Sequence, residues 1–239
     1  EDGLVFRLHQ QPGHMEPIPL SEAKVLPLVT PSKVVCVGLN YKAHAEELGY
    51  PLPNMPSFFL KPPSSIIGNG EPIVLPSGMG RIEHEAELAM VVGKVCRNLT
   101  PEEAEESLFG FTCANDVTAR EVQKVDPLIG HCKSYDTFCP IGPWIETELE
   151  DINDLSIRCL VNGEVRQSAN TGDMIFRPLD LLCFLSRVMT LMPGDVILTG
   201  TPPGISPIQA DDVVQVSIEG IGTLSNPVEG PGPEEKILQ

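Results

Sequence analysis

The sequence predicts an α+β fold in which a mixed β-sheet is rolled or sandwiched and the helices are few and short. Pro and Gly supply 24 and 21 of the 239 residues, so turns are frequent and long helices are rare. Strand signals outnumber helix signals and do not alternate with them as a doubly wound sheet requires. A chain of this length forms one sizeable domain, with room for a small appendage.

The strand signals are short apolar runs that end at turn residues. Val34 to Gly38 is a β-branched run that closes at a glycine, and "AELAMVVGKV" and "GFTCAND" are longer candidates. The segment "LSIRCLVNGEVRQSAN" predicts a hairpin, with Asn162 and Gly163 as its two-residue type I′ turn. "PGDVILTGTPPG" and "DDVVQVSIEGIGTLSNPV" supply the last strands.

Helices are predicted where apolar residues recur at helical spacing between capping residues. "YKAHAEEL" stops at Gly49, "TPEEAEESLFG" has Thr100 as its N-cap, and "RPLDLLCFLSRVMTL" has helical apolar spacing. "VTAREVQ" is expected to form a helical turn directly after Asp116. Residues 1–31 are expected to form a small Pro-rich N-terminal segment with one candidate strand, "GLVFRL".

The net charge limits which partners the protein can bind, and the cysteine content indicates its cellular compartment. The formal charge of −17 would repel a nucleic acid or an anionic membrane, so neither is expected as a partner. The seven cysteines are odd in number, lie in apolar runs and form no CxxC pair. This usage predicts reduced, buried thiols and a cytoplasmic protein.

Acidic residues occupy alternate positions in "RIEHEAELAMVVGK", at Glu83, Glu85 and Glu87. On a strand they share one face, which is either solvated or gathers its carboxylates around a cation. Asp116 ends the strand "GFTCAN" and either caps the following turn or joins the same cluster. Carboxylate oxygens of this kind suit Mg²⁺, Mn²⁺ or Ca²⁺.

Two further side chains extend this cluster if the turn after Asp116 is helical. Arg120 and Gln123 then lie on the same helical face as Asp116, at offsets of four and seven. The three groups would point in one direction, as a surface ion pair also would. We expect Arg120 and Gln123 to contact the substrate.

Seven motifs, taken together and in order, resemble the fumarylacetoacetate hydrolase family. They are "VVCVGLNYKAHAEELG", "HEAELAMVVGK", "NDVTAREVQ", "KSYDTFCPIGPW", "VNGEVRQ", "MIF" and "GDVILTGTPPG". The likeness runs from about residue 32 to residue 228. It implies the family's C-terminal catalytic-domain fold over residues 32–239, a rolled mixed sheet that usually forms a homodimer.

The resemblance also implies the residues of the site. Glu85, Glu87 and Asp116 match the family's ligands for one Mg²⁺ or Mn²⁺ per subunit, which Ca²⁺ could replace. His44 and Glu47 match a pair that activates water in acylpyruvase-like members. Lys133 matches an invariant lysine beside the substrate, and Thr201 matches a threonine near the substrate carboxylate. Glu83 departs from the family, which often has a histidine there, so its role is open between a supporting acid, a fourth ligand and a solvated rim.

Three functions remain open at this point. The first is metal-dependent C–C bond cleavage of a small 2-oxo acid, by hydrolysis of an acylpyruvate or by decarboxylation of an oxaloacetate-like acid. The second is the family's isomerase and decarboxylase branch, which acts on hydroxymuconate-type diacids from aromatic degradation. The third, from another class, is a non-catalytic protein that binds a metal and a dicarboxylate. The residues that differ just before Lys133, "LIGHC", leave the substrate itself undefined.

Overall fold

The computed structural model describes residues 4–5, 18–19, 26–126 and 128–230. These residues form sixteen strands and five α-helices, in agreement with the predicted α+β class and mixed sheet. The strands are β1 (Leu4–Val5), β2 (Ile18–Pro19), β3 (Val34–Gly38), β4 (Ser57–Lys61), β5 (Ile66–Ile67), β6 (Ile73–Val74), β7 (Ile82–Glu83), β8 (Ala86–Val92), β9 (Leu108–Asn115), β10 (Thr118–Ala119), β11 (Cys139–Glu146), β12 (Ser156–Val161), β13 (Glu164–Asn170), β14 (Val196–Leu198), β15 (Val213–Ile218) and β16 (Gly222–Glu229).

The α-helices are short and lie between the strands, as predicted. They are α1 (Lys42–Leu48), α2 (Pro101–Ser107), α3 (Arg120–Gln123), α4 (Gly130–Lys133) and α5 (Pro178–Val188). Two 3₁₀ turns, Pro63–Ser65 and Thr171–Asp173, complete the regular structure of the described residues. Within those residues, no helix is both long enough and apolar enough to cross a bilayer.

Two sheets carry the fold. The larger has seven strands in the order β4-β3-β14-β8-β9-β11-β5, and the other has five in the order β13-β12-β15-β16-β6. In the larger sheet β3 runs parallel to β14, whereas β8 is antiparallel to both β14 and β9. The sheets pack against each other through one apolar core, to which Leu88 and Met90 of β8 and Ile157 and Val216 of the smaller sheet contribute.

The directions of the strands bring four chain segments to one edge of the larger sheet. Because β8 is antiparallel to its two neighbours, its first residues lie beside the last residues of β9 and β14. Glu87 is paired with Ala114, two residues before Asp116, and Leu198 is followed by the "TGTPP" segment. The strand β3 ends at the same edge and leads into α1. Residues far apart in sequence therefore meet there.

Several local predictions are confirmed because they depend on short-range geometry. Asn162 and Gly163 both have positive φ, 53° and 80°, as a type I′ turn requires. Thr100 accepts a hydrogen bond from the backbone N–H of Glu103 in a capping box, and α1 ends at Gly49 in the left-handed conformation. The seven cysteines are free and buried.

The helical turn predicted directly after Asp116 is wrong in its first residues. Thr118 and Ala119 pair with Glu83 and Ile82 as strand β10, and the helix α3 begins only at Arg120. A cross-chain pairing that the local sequence does not reveal has displaced the helix start. The candidate strand "GLVFRL" lies outside the described residues except for Leu4–Val5, as does most of residues 1–31, so that boundary stays a prediction.

Asp195 fastens the start of β3 to the start of β14. Its Oδ1 accepts hydrogen bonds from the backbone N–H and the hydroxyl of Ser32, at 2.9 and 2.7 Å, and Oδ2 accepts from the Lys33 ammonium and the Met192 N–H. Burial alone would raise the pKa of Asp195, but these hydrogen bonds outweigh it and the pKa is lowered. The carboxylate thus stabilises the strand pair that leads into the site.

We predict that Asp195→Asn lowers the free energy of unfolding by about 1–3 kcal/mol at pH 7, because several donors lose their charged acceptor. A depressed pKa in the folded state means that this stabilisation is present above the unfolded pKa of about 3.9 and is lost as the pH falls through the folded value. Urea unfolding at pH 7 and at about pH 3, below the unfolded pKa, measures the difference, with the exposed Asp180→Asn as the control. An equal loss in both variants would contradict the assignment.

Candidate active site

A cavity of about 210 Å³ opens at the edge where β3, β8, β9 and β14 converge. All of the predicted site residues line this cavity except Glu47, which contacts the ring of His44. Those that line it are His44, Glu85, Glu87, Asp116, Arg120, Gln123, Lys133 and Thr201. The fold therefore gathers into one cavity residues that span more than half of the chain, while their roles remain predictions.

The three carboxylates predicted to bind a metal lie together at the floor of this cavity. Oxygen atoms of Glu85, Glu87 and Asp116 all lie within 4.8 Å of one another. The backbone holds them there: the N–H of Asp116 donates to the Glu85 carbonyl at 2.8 Å, and the N–H of Glu85 donates to Asn115 Oδ1 at 2.9 Å. All three side chains are buried, with 6%, 1% and 1% of their surface exposed. The alternative of a solvated strand face is wrong, because both faces of β8 are covered.

Lys133 bridges two of these carboxylates. Its ammonium donates to Glu85 Oε2 and to Asp116 Oδ2, each at 2.7 Å, and lies 5.2 Å from the ring centroid of Phe59. Burial would raise the pKa of Glu85, but the charges of Lys133 and Arg120 lower it to about 2. Burial would likewise lower the pKa of Lys133, and its two carboxylate partners raise it instead. Lys133 is therefore a charged ammonium inside the protein.

Lys61 is a site residue that the sequence analysis missed. It ends β4 with 1% of its surface exposed, and its ammonium donates to Asp116 Oδ1 and, at 3.2 Å, to the carbonyl of Val117. Asp116 is thus held between two buried lysines. The sequence signal that could have revealed it is a lysine in the apolar segment "SFFLKPP". An apolar segment predicts burial, and a lysine is almost never fully buried without a charged partner.

Glu83 positions Arg120 and is not part of the carboxylate group. Arg120 Nε donates to Glu83 Oε2 and Nη2 donates to Glu85 Oε1, each at 2.6 Å, while Nη1 donates to Gln123. Arg81 pairs with the second oxygen of Glu83. Glu83 is 1% exposed, so the solvated-rim alternative is wrong. Among the described residues, the carboxylates close enough to share one metal ion are Glu85, Glu87 and Asp116, and Glu83 is not among them. Of the three alternatives for Glu83, the supporting acid is therefore the one that remains.

Glu87 is the carboxylate that lacks a cation. It accepts a hydrogen bond from the backbone N–H of Gly200 at 2.6 Å, and no ammonium or guanidinium of the described residues forms an ion pair with it. Burial, together with the charges of Asp116 and Glu85, raises the pKa of Glu87 well above its ordinary value. A divalent cation would supply the missing positive charge, and hard oxygen ligands of this kind suit Mg²⁺ or Mn²⁺. The three side chains therefore fit such an ion.

His44 and Glu47 form an oriented pair on α1, one helical turn apart. His44 Nδ1 lies 2.9 Å from Glu47 Oε2, and Glu47 Oε1 accepts from the backbone N–H of Gly204 at 3.0 Å. The carboxylate fixes the ring and leaves Nε2 without a partner among the described residues. Since His44 lines the cavity, the geometry suits transfer of a proton to or from a molecule bound there.

Thr201 faces the cavity but is also held by its neighbours. Its hydroxyl donates to the Ala86 carbonyl at 3.0 Å and accepts from Gln167 Nε2 at 2.8 Å. Donation to a substrate carboxylate would require this hydroxyl to rotate away from Ala86. Gln167 also accepts from His84, whose other ring nitrogen lies 2.8 Å from the Ser206 hydroxyl. His84 is thus bonded on both sides behind the cavity, which is a structural role.

Comparison with known proteins agrees with this fold. Residues 33–229 match the family described as fumarylacetoacetate (FAA) hydrolase C-terminal. The human mitochondrial oxaloacetate tautomerase FAHD2A is 42% identical over 225 residues, which cover 88% of this chain and 71% of the human protein.

Two solved structures extend the comparison. The 5-carboxymethyl-2-hydroxymuconate delta-isomerase from Mycobacterium smegmatis superposes with a TM-score of 0.85 at 42% identity, covering 97% of this chain and 95% of that one. Maleylpyruvate hydrolase from Sphingobium sp. SYK-6, in complex with manganese(II) and pyruvate, gives a TM-score of 0.80 at 36% identity, covering 91% and 78%. The chain is thus an enzyme of the fumarylacetoacetate hydrolase family.

Proposed function

We propose that this enzyme uses one Mg²⁺ or Mn²⁺ ion, held by Glu85, Glu87 and Asp116, to cleave a C–C bond of a 2-oxo acid. The bond is broken by hydrolysis of an acylpyruvate or by decarboxylation of an oxaloacetate-like acid. The observation that carries the proposal is the uncompensated Glu87 among buried carboxylates, in a cavity that also contains the His44–Glu47 pair. We also propose a cytoplasmic homodimer.

The charges around the carboxylates suit an anionic substrate once the ion is present. In the ion-pair network three carboxylates, Glu83, Glu85 and Asp116, pair with four cations, Arg81, Arg120, Lys61 and Lys133. Glu87 has no ion-pair partner among the described residues. When bound, the divalent ion supplies Lewis-acid stabilisation of negative charge on the substrate oxygens. The bound ion would make the site positive, so that it attracts and holds an anion.

The chain's own residues supply the remaining chemistry. Lys133 and Arg120 place positive charge beside the carboxylates, where it stabilises the enolate oxygen that forms as the C–C bond breaks. In hydrolysis, His44 Nε2 accepts a proton from water, which attacks the distal carbonyl, and Glu47 stabilises the resulting imidazolium. The enolate is then protonated at carbon, and the products are pyruvate and a carboxylic acid.

Keto–enol isomerisation is the second candidate, favoured by two of the relatives. The human relative is named an oxaloacetate tautomerase, and the mycobacterial structure is named a hydroxymuconate delta-isomerase. Isomerisation, or decarboxylation of a hydroxymuconate-type diacid, needs the same stabilised enolate and a proton carrier, but no attacking water. The non-catalytic alternative is not supported, because the chain belongs to a family of enzymes.

A substrate panel tests the proposal directly. The protein is stripped of metal with EDTA, reconstituted with Mg²⁺ or Mn²⁺, and offered acylpyruvates, oxaloacetate and a hydroxymuconate-type diacid, with products identified by NMR. We expect turnover only with metal, and the release of pyruvate from an acylpyruvate or of CO₂ from oxaloacetate. Metal-dependent interconversion of keto and enol forms with no bond cleavage would favour the second candidate. Turnover unaffected by EDTA would contradict the proposal.

His44→Gln separates hydrolysis from enolisation. We predict that hydrolysis falls roughly 10²–10⁴-fold, as for the loss of a general base. Exchange of the C3 protons of 2-oxobutyrate in D₂O should fall much less if another group carries that proton. The exposed Lys42→Gln, on the same helix, is the control. Hydrolysis at the wild-type rate in His44→Gln would contradict the assigned role.

A further inference from the structure

The cavity has two walls of different character. The carboxylates, Lys133 and Arg120 occupy its floor, whereas the wall near the opening is mostly apolar. The apolar side chains of this wall are Leu39, Leu48, Tyr50 and Ile129, whereas Val37 and Phe59 line the deeper part, where the Phe59 ring lies 5.2 Å from the Lys133 ammonium. Leu48 and Tyr50 are 39% and 58% exposed, which marks them as the mouth. A substrate whose carboxylate lies at the floor would place its far end against this wall.

No free cation faces that far end within the described lining of the cavity. Lys133 and Arg120 are each bonded to two carboxylates at the floor. His44 is bonded to Glu47, whose carboxylate adds negative charge on the same side. The remaining polar side chains of the wall, Ser57 among them, are neutral. A carboxylate at the far end would lose water without gaining an ionic partner, which is costly.

We infer that the cavity selects 2-oxo acids whose far end is uncharged, an acyl or alkyl group, over acids that end in a second carboxylate. This inference rests on the proposed function. On this inference the chain prefers substrates different from the dicarboxylic acids that appear in the names of the relatives. The inference favours an acylpyruvate with an uncharged acyl group as the substrate.

Matched six-carbon probes test the selectivity without depending on turnover. 2-Oxohexanoate and 2-oxoadipate differ only in the terminal carboxylate, and isothermal titration into the Mn²⁺-loaded protein measures the affinity of each. We expect 2-oxohexanoate to bind at least about tenfold more tightly, because the second carboxylate is desolvated without a partner. Equal or tighter binding of 2-oxoadipate would overturn the inference. Failure of both acids to bind would overturn the proposed function, and this inference with it.

Leu48→Arg adds the missing cation at the mouth. Leu48 is the last residue of α1 and is partly exposed, so an arginine fits the helix end and does not threaten the core. The ratio of the two affinities should fall by roughly threefold, as for a partly exposed ion pair. Val188→Arg, at the exposed end of α5 and away from the cavity, is the matched control and should leave the ratio unchanged. A ratio that falls equally in both variants, or in neither, would contradict the assignment of this wall to the far end of the substrate.

Discussion

The repulsion among three buried carboxylates is the physical constraint on which the rest of the site depends. Glu85, Glu87 and Asp116 share a space that would expel them if they were charged and unpaired. Two of them are stabilised by Lys61, Lys133 and Arg120, while the third, among the residues that the structure describes, receives only a backbone hydrogen bond. The molecule thus compensates the cluster incompletely, and the remaining negative charge is what makes it suited to a divalent ion.

The topology of the larger sheet creates this cluster and supplies its counter-charges. The antiparallel strands β8 and β9 bring Glu87 beside Asp116, and Lys61 arrives from the edge strand β4. Lys133 comes from the short helix α4, and the His44–Glu47 pair comes from α1. Each cation is anchored by an element different from the carboxylate it meets, so ion pairing and tertiary structure stabilise one another. Asp195 joins the opposite ends of β3 and β14, at their first residues, so its contribution to the site is through the pairing of these two strands.

The parts predicted from sequence were those with local signals or an ordered set of motifs. Neighbouring residues determine the strand alternation, the Asn162–Gly163 turn and the helix caps. The family motifs identified the three carboxylates. Lys61 and the partners of Glu83 could not be found in this way, because their contacts cross 55 and 37 residues of sequence. The predicted start of the helix after Asp116 was wrong for the same reason, because Thr118 pairs with a strand that is distant in sequence. Spacing alone also left buried and solvated acidic faces equally open.

The free energy of unfolding of Glu87→Gln, with and without Mn²⁺, tests the central claim most directly. In EDTA, the variant should be more stable than the wild type by about 1–3 kcal/mol, because a buried like charge is removed. With Mn²⁺ at about 100 times its Kd, the wild type should gain about 2.7 kcal/mol and the variant much less, so the difference in stability shrinks or reverses. The exposed Glu105→Gln should behave as the wild type. A variant that is less stable in EDTA and gains as much from Mn²⁺ as the wild type would contradict the account.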